Sequence, residues 1–185
     1  MKAKLATLGG GLANETGDGE PIVWFKQTIP GACGSYAFLH CALNGLATKF
    51  ILPGSTLGNL RREAIPLLRD QRAQMLYDSM EFEEVHKAVA GLGDSSVPVN
   101  GIRERTGQYF VAFVKANGRL WELEDTRQGP LDRGALAEDE DALSPKALEL
   151  GIKRIMRLER DSGGQDLRFS CIALAPEPNE MWSSN

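Results

Sequence analysis

Cys33 is the residue of this chain that is best placed to do chemistry. It stands at the start of a strongly apolar helical segment, and Gln27 lies six residues before it. Backbone N–H groups at a helix N-terminus carry partial positive charge, so a thiolate there is stabilised. A side-chain amide just upstream can supply the second donor of an oxyanion hole, the first being the N–H of the cysteine itself. The pair therefore indicates half of a thiol hydrolase, with Cys33 as nucleophile and Gln27 as oxyanion donor.

The other half would be a histidine that accepts the thiol proton, and the chain has two, His40 and His86. His40 lies about two turns along the same predicted helix, ~10 Å in rise from Cys33. That is beyond the ~3 Å reach of a general base. We expect both histidines to be structural. From spacing alone, a nucleophilic and a structural role for Cys33 are about equally favoured, whereas Cys41 and Cys171 are expected to be buried structural cysteines.

Length and composition indicate one globular domain. The chain has 185 residues, of which 42% are hydrophobic and 25% charged, and its formal net charge is −4. This charge argues against nucleic acid as a partner. No segment approaches the ~20 apolar residues of a membrane helix, and none resembles a signal peptide. We therefore expect no membrane as a partner of the protein. Three cysteines without a CxxC pair indicate free thiols in the cytoplasm, and neither a metal site nor a cofactor is expected.

Helices are predicted where apolar residues recur at helical spacing after a capping residue. These are 33–43, stopped at Gly45; 55–64, capped by Ser55; 69–90, as two helices broken near Asp78 and Ser79; and 144–160, opened by Ser144 and Pro145.

Strands are predicted from β-branched and aromatic runs between turn residues. A buried strand is expected at 21–25 and a last strand at 167–174, while 109–125 forms a hairpin around the Asn117-Gly118 turn. Helices around an antiparallel set of strands, with one buried helix, indicate the α+β class.

The run Gln27-Thr28-Ile29-Pro30-Gly31-Ala32-Cys33-Gly34, followed by Leu39 and His40, resembles the active-site signature of the ubiquitin C-terminal hydrolases. In that family the motif is Gln-Thr-Ile-Gly-Asn-Ala-Cys-Gly, and a helix with a Leu-His pair follows. Further matching blocks bring the resemblance to residues 20–178, most closely with the fungal members; they lie at 80–86, 113–115, 118–123, 129–134, 147–151, 166–170 and 173–175.

This resemblance implies a papain-like α+β fold, in which a buried nucleophile helix packs against an antiparallel sheet with flanking helices. The domain is expected at 21–178, after a flexible segment at 1–20 and before a frayed tail at 179–185. The stretch 91–107 is either a solvated connector or, by the resemblance, the crossover loop that arches over the active site.

The chain departs from the family pattern where the proton acceptor should stand. Tyr109 occupies the position of the catalytic histidine, and Glu124, followed by Asp125, occupies that of the orienting aspartate. A phenol with a pKa near 10 keeps its proton at neutral pH. Losing one member of a triad costs several orders of magnitude in rate. The family's first strand and early helices, which precede the position of Ile22, have no counterpart here.

The resemblance implies a thiol-dependent deubiquitinase that cleaves after the C-terminal glycine of ubiquitin, with a degraded triad. The implied partner is ubiquitin or a ubiquitin-like protein. The alternative is a catalytically inactive pseudoenzyme that binds ubiquitin, which the tyrosine at position 109 favours on chemical grounds. A third reading is a truncated product with no function of its own.

Overall fold

The structure, a computed structural model, describes residues 20–92, 110–163 and 169–175. Within these ranges the chain forms helices on either side of one small antiparallel sheet, as the predicted α+β class requires. The elements in chain order are α1 (Cys33–Ala42), a 3-10 helix (Gly45–Phe50), α2 (Thr56–Ala64), α3 (Arg69–Tyr77), α4 (Met80–Ala90), β1 (Ala112–Ala116), β2 (Arg119–Leu123), β3 (Leu131–Ala135), α5 (Pro145–Leu150) and α6 (Ile152–Asp161).

The predicted hairpin is confirmed. Strands β1 and β2 pair antiparallel, with Val114 opposite Trp121. Asn117 and Gly118 both have positive φ, 51° and 69°. Two left-handed residues in a two-residue loop match the twist of the strands they join.

The third strand, β3, was not among the predicted elements. It pairs antiparallel with β2, and the register shifts between Leu120 and Trp121. Its short sequence of Leu, Asp, Arg, Gly and Ala lacks the β-branched and aromatic residues on which strand prediction rests. Leu131 and Arg133 nonetheless both point to the buried side.

The predicted strand at 21–25 is wrong in its backbone pairing, although its burial is as expected. Val23 and Phe25 are buried, yet residues 21–25 belong to no strand ladder. The Val23 N–H donates to Oδ1 of Asn44 at 2.8 Å, and Nδ2 of Asn44 donates back to the Val23 carbonyl at 2.9 Å. The Phe25 N–H donates to Nε2 of His40 at 3.1 Å. The side chains of His40 and Asn44 thus make the backbone hydrogen bonds that a neighbouring strand would otherwise make.

Helix α1 lies between two hydrophobic clusters, as its apolar circumference predicted. Tyr36 and Leu39 pack with the first cluster, and Cys41 packs against the second, which includes Trp24 and Trp121. The helix ends at Ala42, before the predicted stop at Gly45. Gly45 has φ +60°, and a side chain there would overlap the carbonyl oxygen of Lys115 on β1. This glycine therefore lets the chain pass close to the sheet.

Three predicted N-caps are confirmed. In each, a serine hydroxyl accepts from a backbone N–H three residues later, which satisfies one of the free donors of the helix start. The pairs are Ser55 with Gly58, Ser79 with Phe82, and Ser144 with Ala147.

The single helix predicted over 144–160 is wrong, because two helices, α5 and α6, meet at Gly151. A Cβ atom at Gly151 would lie 3.1 Å from the ring of Phe113 and from the Ala147 carbonyl. The break lets the chain pass over that ring.

The predicted last strand at 167–174 is also wrong where the structure describes it. Residues 169–175 have no strand pairing, and Ile172 is 96% exposed. The stretch contains apolar residues, but apolar composition alone forms no strand without a pairing partner. Residues 164–168 lie outside the described ranges, as do 1–19 and 176–185, so the predicted domain boundaries stay predictions.

We expect Asn44→Ala to lower the free energy of unfolding by roughly 2–4 kcal/mol, because it leaves the N–H and the carbonyl of buried Val23 unsatisfied. Urea denaturation measures this. The matched control is Asn59→Ala, whose side chain makes only one long, exposed bond to the Gly54 carbonyl, and it should change stability by less than about 0.5 kcal/mol. Equal stabilities of the two variants would contradict the assignment.

We also expect His40 to make the protein less stable in acid. Burial lowers the pKa of His40 from 6.5 to about 3. Between these values the unfolded chain binds a proton that the folded chain does not, so stability falls as pH decreases, by up to about 1.4 kcal/mol per pH unit. Urea unfolding from pH 7 to pH 4 should show a shallower dependence for His40→Gln than for the wild type. His86→Gln is the control, and an unchanged slope in His40→Gln would refute this origin.

Candidate functional site

Cys33 is the first residue of helix α1, and its side chain is partly exposed. The N-cap residue, Ala32, offers no side-chain acceptor, and the first turn carries no acidic residue. The free N–H groups of this turn therefore keep their partial positive charge without a competing carboxylate of their own helix. An anion that forms at the start of α1, whether a thiolate or an oxyanion, would be stabilised there.

The loop that leads into α1, residues 27–32, starts at Gln27. The backbone N–H of Gln27 donates to the Asp125 carbonyl at 2.8 Å, which ties the loop to the end of β2. Its side-chain Nε2 donates to the Ile29 carbonyl at 2.9 Å, so the carboxamide lies within the loop. Gly31 has φ +80° and completes the turn before Ala32. The sequence-predicted oxyanion donor is thus held on the same loop that delivers Cys33 to the helix start.

Glu124, which the sequence predicts at the position of the family's orienting aspartate, directs its carboxylate toward the loop after β2. Its Oε2 lies 2.9 Å from Nε of Arg127, and its Oε1 accepts from the hydroxyl of Thr126. Its backbone carbonyl accepts from the indole N–H of Trp24 at 3.3 Å. Asp125 beside it is buried, with 4% of its surface exposed. The carboxylate of Glu124 is therefore engaged with a cation.

Tyr109 lies outside the described residues, as do residues 93–107 of the predicted crossover loop. The residue after Tyr109, Phe110, is described, and its ring lies over Gly34 in the first turn of α1. A Cβ atom on Gly34 would be 3.6 Å from that ring. The second described range, which starts at residue 110, therefore begins beside the first turn of α1.

Both histidines have a hydrogen-bond partner other than Cys33. His40 is fully buried, and its Nε2 accepts from Phe25. His86 stands on α4, and its Nδ1 lies 2.9 Å from the hydroxyl of Ser35. Its sequence position did not predict this contact with the nucleophile helix, because the two partners are 51 residues apart.

The other two thiols differ from each other. Burial raises the pKa of the Cys41 thiol, which disfavours its thiolate, as expected for a structural cysteine. Cys171 is exposed, so the expectation that it is buried is wrong. It lies on the unpaired stretch 169–175, where no neighbouring strand covers it. All three cysteines are free thiols.

In the described ranges, no group of three or more His, Cys, Asp or Glu side chains is arranged to hold a metal ion. None of the helices described there has both the length and the apolar character needed to span a bilayer.

Sequence reasoning missed the role of Tyr36, which is fully buried. Its hydroxyl lies 3.3 Å from the Thr28 N–H and 3.2 Å from the Thr28 hydroxyl. A tyrosine in an apolar helix indicates core packing. The sequence of the chain does not indicate that the Tyr36 hydroxyl reaches the loop before the helix.

Curated relatives match most of this chain. Ubiquitin carboxyl-terminal hydrolase BAP1 of Xenopus tropicalis is 26% identical over 163 residues, 85% of this chain and 23% of that protein. Ubiquitin carboxyl-terminal hydrolase isozyme L1 of Sus scrofa is 29% identical over 157 residues, 83% of this chain and 64% of the relative. The chain thus spans less than two thirds of the length of either relative.

The fold matches a solved structure, that of the Trichinella spiralis UCH37 catalytic domain bound to ubiquitin vinyl methyl ester. The TM-score is 0.59 at 24% sequence identity, covering 91% of this chain and 69% of that one. This likeness confirms the predicted fold, with its nucleophile helix against an antiparallel sheet.

The family model described as "Ubiquitin carboxyl-terminal hydrolase, family 1" matches residues 7–157, most of the chain. Together with the signature around Cys33 and the shared fold, this match settles the family. The chain belongs to family 1 of the ubiquitin carboxyl-terminal hydrolases.

Proposed function

We propose that this domain is a thiol-dependent ubiquitin C-terminal hydrolase with a weakened proton-transfer step. Cys33 attacks the carbonyl carbon after the last glycine of ubiquitin, and Gln27 with the N–H of Cys33 holds the oxyanion that forms. The observation that carries the proposal is the place of Cys33 at an uncapped helix start, with no acidic residue in the first turn. Such a terminus stabilises both the thiolate and the developing oxyanion.

The substrate is ubiquitin or a ubiquitin-like protein. Support comes from the family match and from the two relatives, both named ubiquitin carboxyl-terminal hydrolases. The UCH37 neighbour was solved bound to ubiquitin vinyl methyl ester, a ubiquitin with an electrophile at its end. A cytoplasmic location, and the absence of nucleic-acid and membrane partners, stay predictions from composition and cysteine usage.

Proton transfer is the weak step of this proposal. The thiol of Cys33 must lose its proton before or during attack. Tyr109, at the position that the resemblance assigns to the family's histidine, offers a phenol in place of an imidazole, and a phenol is a poor proton acceptor. Glu124, at the family's aspartate position, is paired with Arg127 and Thr126. Thiolate formation would then depend on the helix terminus and on solvent as proton acceptor.

The second candidate is a ubiquitin-binding protein without catalytic activity. It is favoured by the commitment of both histidines to other partners, Phe25 for His40 and Ser35 for His86. Binding surface and transition-state stabilisation are separable, so loss of a base removes chemistry without removing recognition. Turnover of a ubiquitin C-terminal amide decides between the two candidates.

We expect ubiquitin vinyl methyl ester to form one covalent adduct, at Cys33. Attack on this electrophile needs the thiolate and correct seating of the ubiquitin tail, and it makes few demands on a general base. Intact-mass spectrometry with peptide mapping measures it. Cys33→Ala should abolish the adduct, and Cys171→Ala, the matched control at an exposed thiol, should keep it. An adduct that persists in Cys33→Ala would contradict the assigned nucleophile.

We expect Tyr109→His to raise the hydrolysis of a ubiquitin C-terminal amide, by between about tenfold and 10³-fold. General-base catalysis is typically worth 10²–10⁴-fold, and the engagement of Glu124 leaves the new imidazole poorly oriented. Initial rates with a fluorogenic ubiquitin amide measure the gain, and Tyr109→Phe is the control that adds no base. If the wild type already turns over as fast as Tyr109→His, the reading of a crippled site is wrong.

A further inference from the structure

Tyr36 is joined to the loop that carries the oxyanion glutamine. It stands on α1 in the first turn after Cys33, fully buried, and its hydroxyl reaches back to Thr28. The Thr28 N–H donates to that oxygen at 3.3 Å, and the Thr28 hydroxyl lies 3.2 Å from it. A phenol oxygen that accepts from an amide can still donate its own proton to the neighbouring hydroxyl. Both bonds are long, and both fall on the residue directly after Gln27.

The ring of Tyr36 is held in place by packing against helix α4. It meets Phe82 of α4 edge to face, with ring centroids 6.0 Å apart. Phe82 in turn stacks on His86 at 6.2 Å, and His86 bonds the hydroxyl of Ser35, the neighbour of Tyr36 on α1. This series of contacts starts at Tyr36 and ends at Ser35, both on helix α1. The hydroxyl of Tyr36 is therefore presented by a ring that has little room to turn.

The loop needs such a hold because few other contacts define it. Gln27 is held by its N–H on the Asp125 carbonyl and by its Nε2 on the Ile29 carbonyl, and the far end of the loop by the Ala32 N–H on the Ile29 carbonyl at 3.4 Å. Pro30 donates no backbone hydrogen bond and Gly31 sits at positive φ. Between the two anchors, Thr28 is bonded only through the Tyr36 hydroxyl among the contacts of the described residues.

We propose that Tyr36 is a positioning residue for the oxyanion hole: its hydroxyl holds Thr28, and thereby sets where the Gln27 amide stands relative to Cys33. This inference rests on the proposed function of Cys33 and Gln27. Tyr36 touches no substrate and acts through the loop. Its chemistry is that of a preorganised donor site, in which the donors must stand where the oxyanion develops before the reaction begins.

Tyr36→Phe isolates the hydroxyl, because the ring that fills the core and meets Phe82 is kept. The first measurement is hydrogen exchange of the Thr28 amide by NMR. Loss of its acceptor should speed exchange by roughly tenfold, the equivalent of one ordinary hydrogen bond. Tyr77→Phe is the matched control, since Tyr77 is 58% exposed on α3. Unchanged exchange at Thr28 in Tyr36→Phe would overturn the proposal.

The second measurement separates positioning from mere stability, and its probe is ubiquitin aldehyde. The S–H bond of Cys33 breaks as the sulfur bonds the aldehyde carbon, and the carbonyl π electrons move to the oxygen. The thiol proton goes to that oxygen, which gives a neutral hemithioacetal, or to water, which leaves an oxyanion in the hole. Tyr36→Phe should bind this probe about tenfold more weakly and unmodified ubiquitin equally well. A misplaced donor loses part of the 10²–10³-fold that a whole donor contributes. Equal weakening for both ligands would overturn the proposal in favour of a structural role.

The two failures can be told apart. If the wild type binds ubiquitin aldehyde no better than unmodified ubiquitin, no hemithioacetal forms and the proposed hydrolase function fails. If the wild type does form it and Tyr36→Phe matches the wild type for both ligands, the function stands and the role of Tyr36 is refuted. A double variant gives a further check. Adding Thr28→Ser to Tyr36→Phe should weaken the binding of ubiquitin aldehyde no further, because serine keeps the hydroxyl and the amide.

Discussion

A buried backbone segment without a strand partner is the constraint on which this structure depends. Residues 22–25 are buried, and their polar groups must be paired because an orphaned buried N–H or carbonyl costs ~1–3 kcal/mol. His40 on helix α1 and Asn44, two residues after its end, supply that pairing for Val23 and Phe25. The Asn44 side-chain amide also donates to the backbone carbonyl of His40 at 2.9 Å, which holds the Asn44 side chain against the end of α1. The segment that leads to Gln27 is therefore set by the helix that carries Cys33.

The same dependence extends to the first described residue. The carboxylate of Glu20 is fully buried between Arg69 and Arg72 of α3, and Arg72 also donates to the Ala64 carbonyl at 2.7 Å. Breaking a buried pair leaves an uncompensated charge, at a typical cost of ~3–5 kcal/mol. One end of the segment is therefore tied by charge to α3, its middle by side-chain hydrogen bonds to α1, and its far end, at Gln27, to the carbonyl of Asp125. These three attachments therefore set the position of the loop at residues 27–32.

The sequence predicted what depends on neighbouring residues. Serine caps, the Asn117-Gly118 turn and the apolar helix after Cys33 follow from local chemistry, and the structure confirms them. Prediction from the sequence failed where the local structure depends on a residue distant in the chain. The stretch around Val23 has strand composition but pairs with side chains. The predicted helix over 144–160 breaks at Gly151, where the ring of Phe113 on β1 leaves little room for a side chain. The Cys33 and Gln27 pair was readable from the motif, whereas the contact of Tyr36 with the loop depends on a side-chain direction that no spacing records.

The two halves of the proposed chemistry differ in how easily a sequence can lose them. The field at the start of α1 comes from backbone N–H groups, and these donors remain when any one side chain is truncated. Proton acceptance rests on one side chain, and here both imidazoles already have partners while the carboxylate of Glu124 faces Arg127. A site of this kind keeps its capacity to stabilise anions after it has lost its base. In the proposed mechanism, the bonding of an electrophile by Cys33 would draw on the first half alone, whereas turnover of an amide would require both.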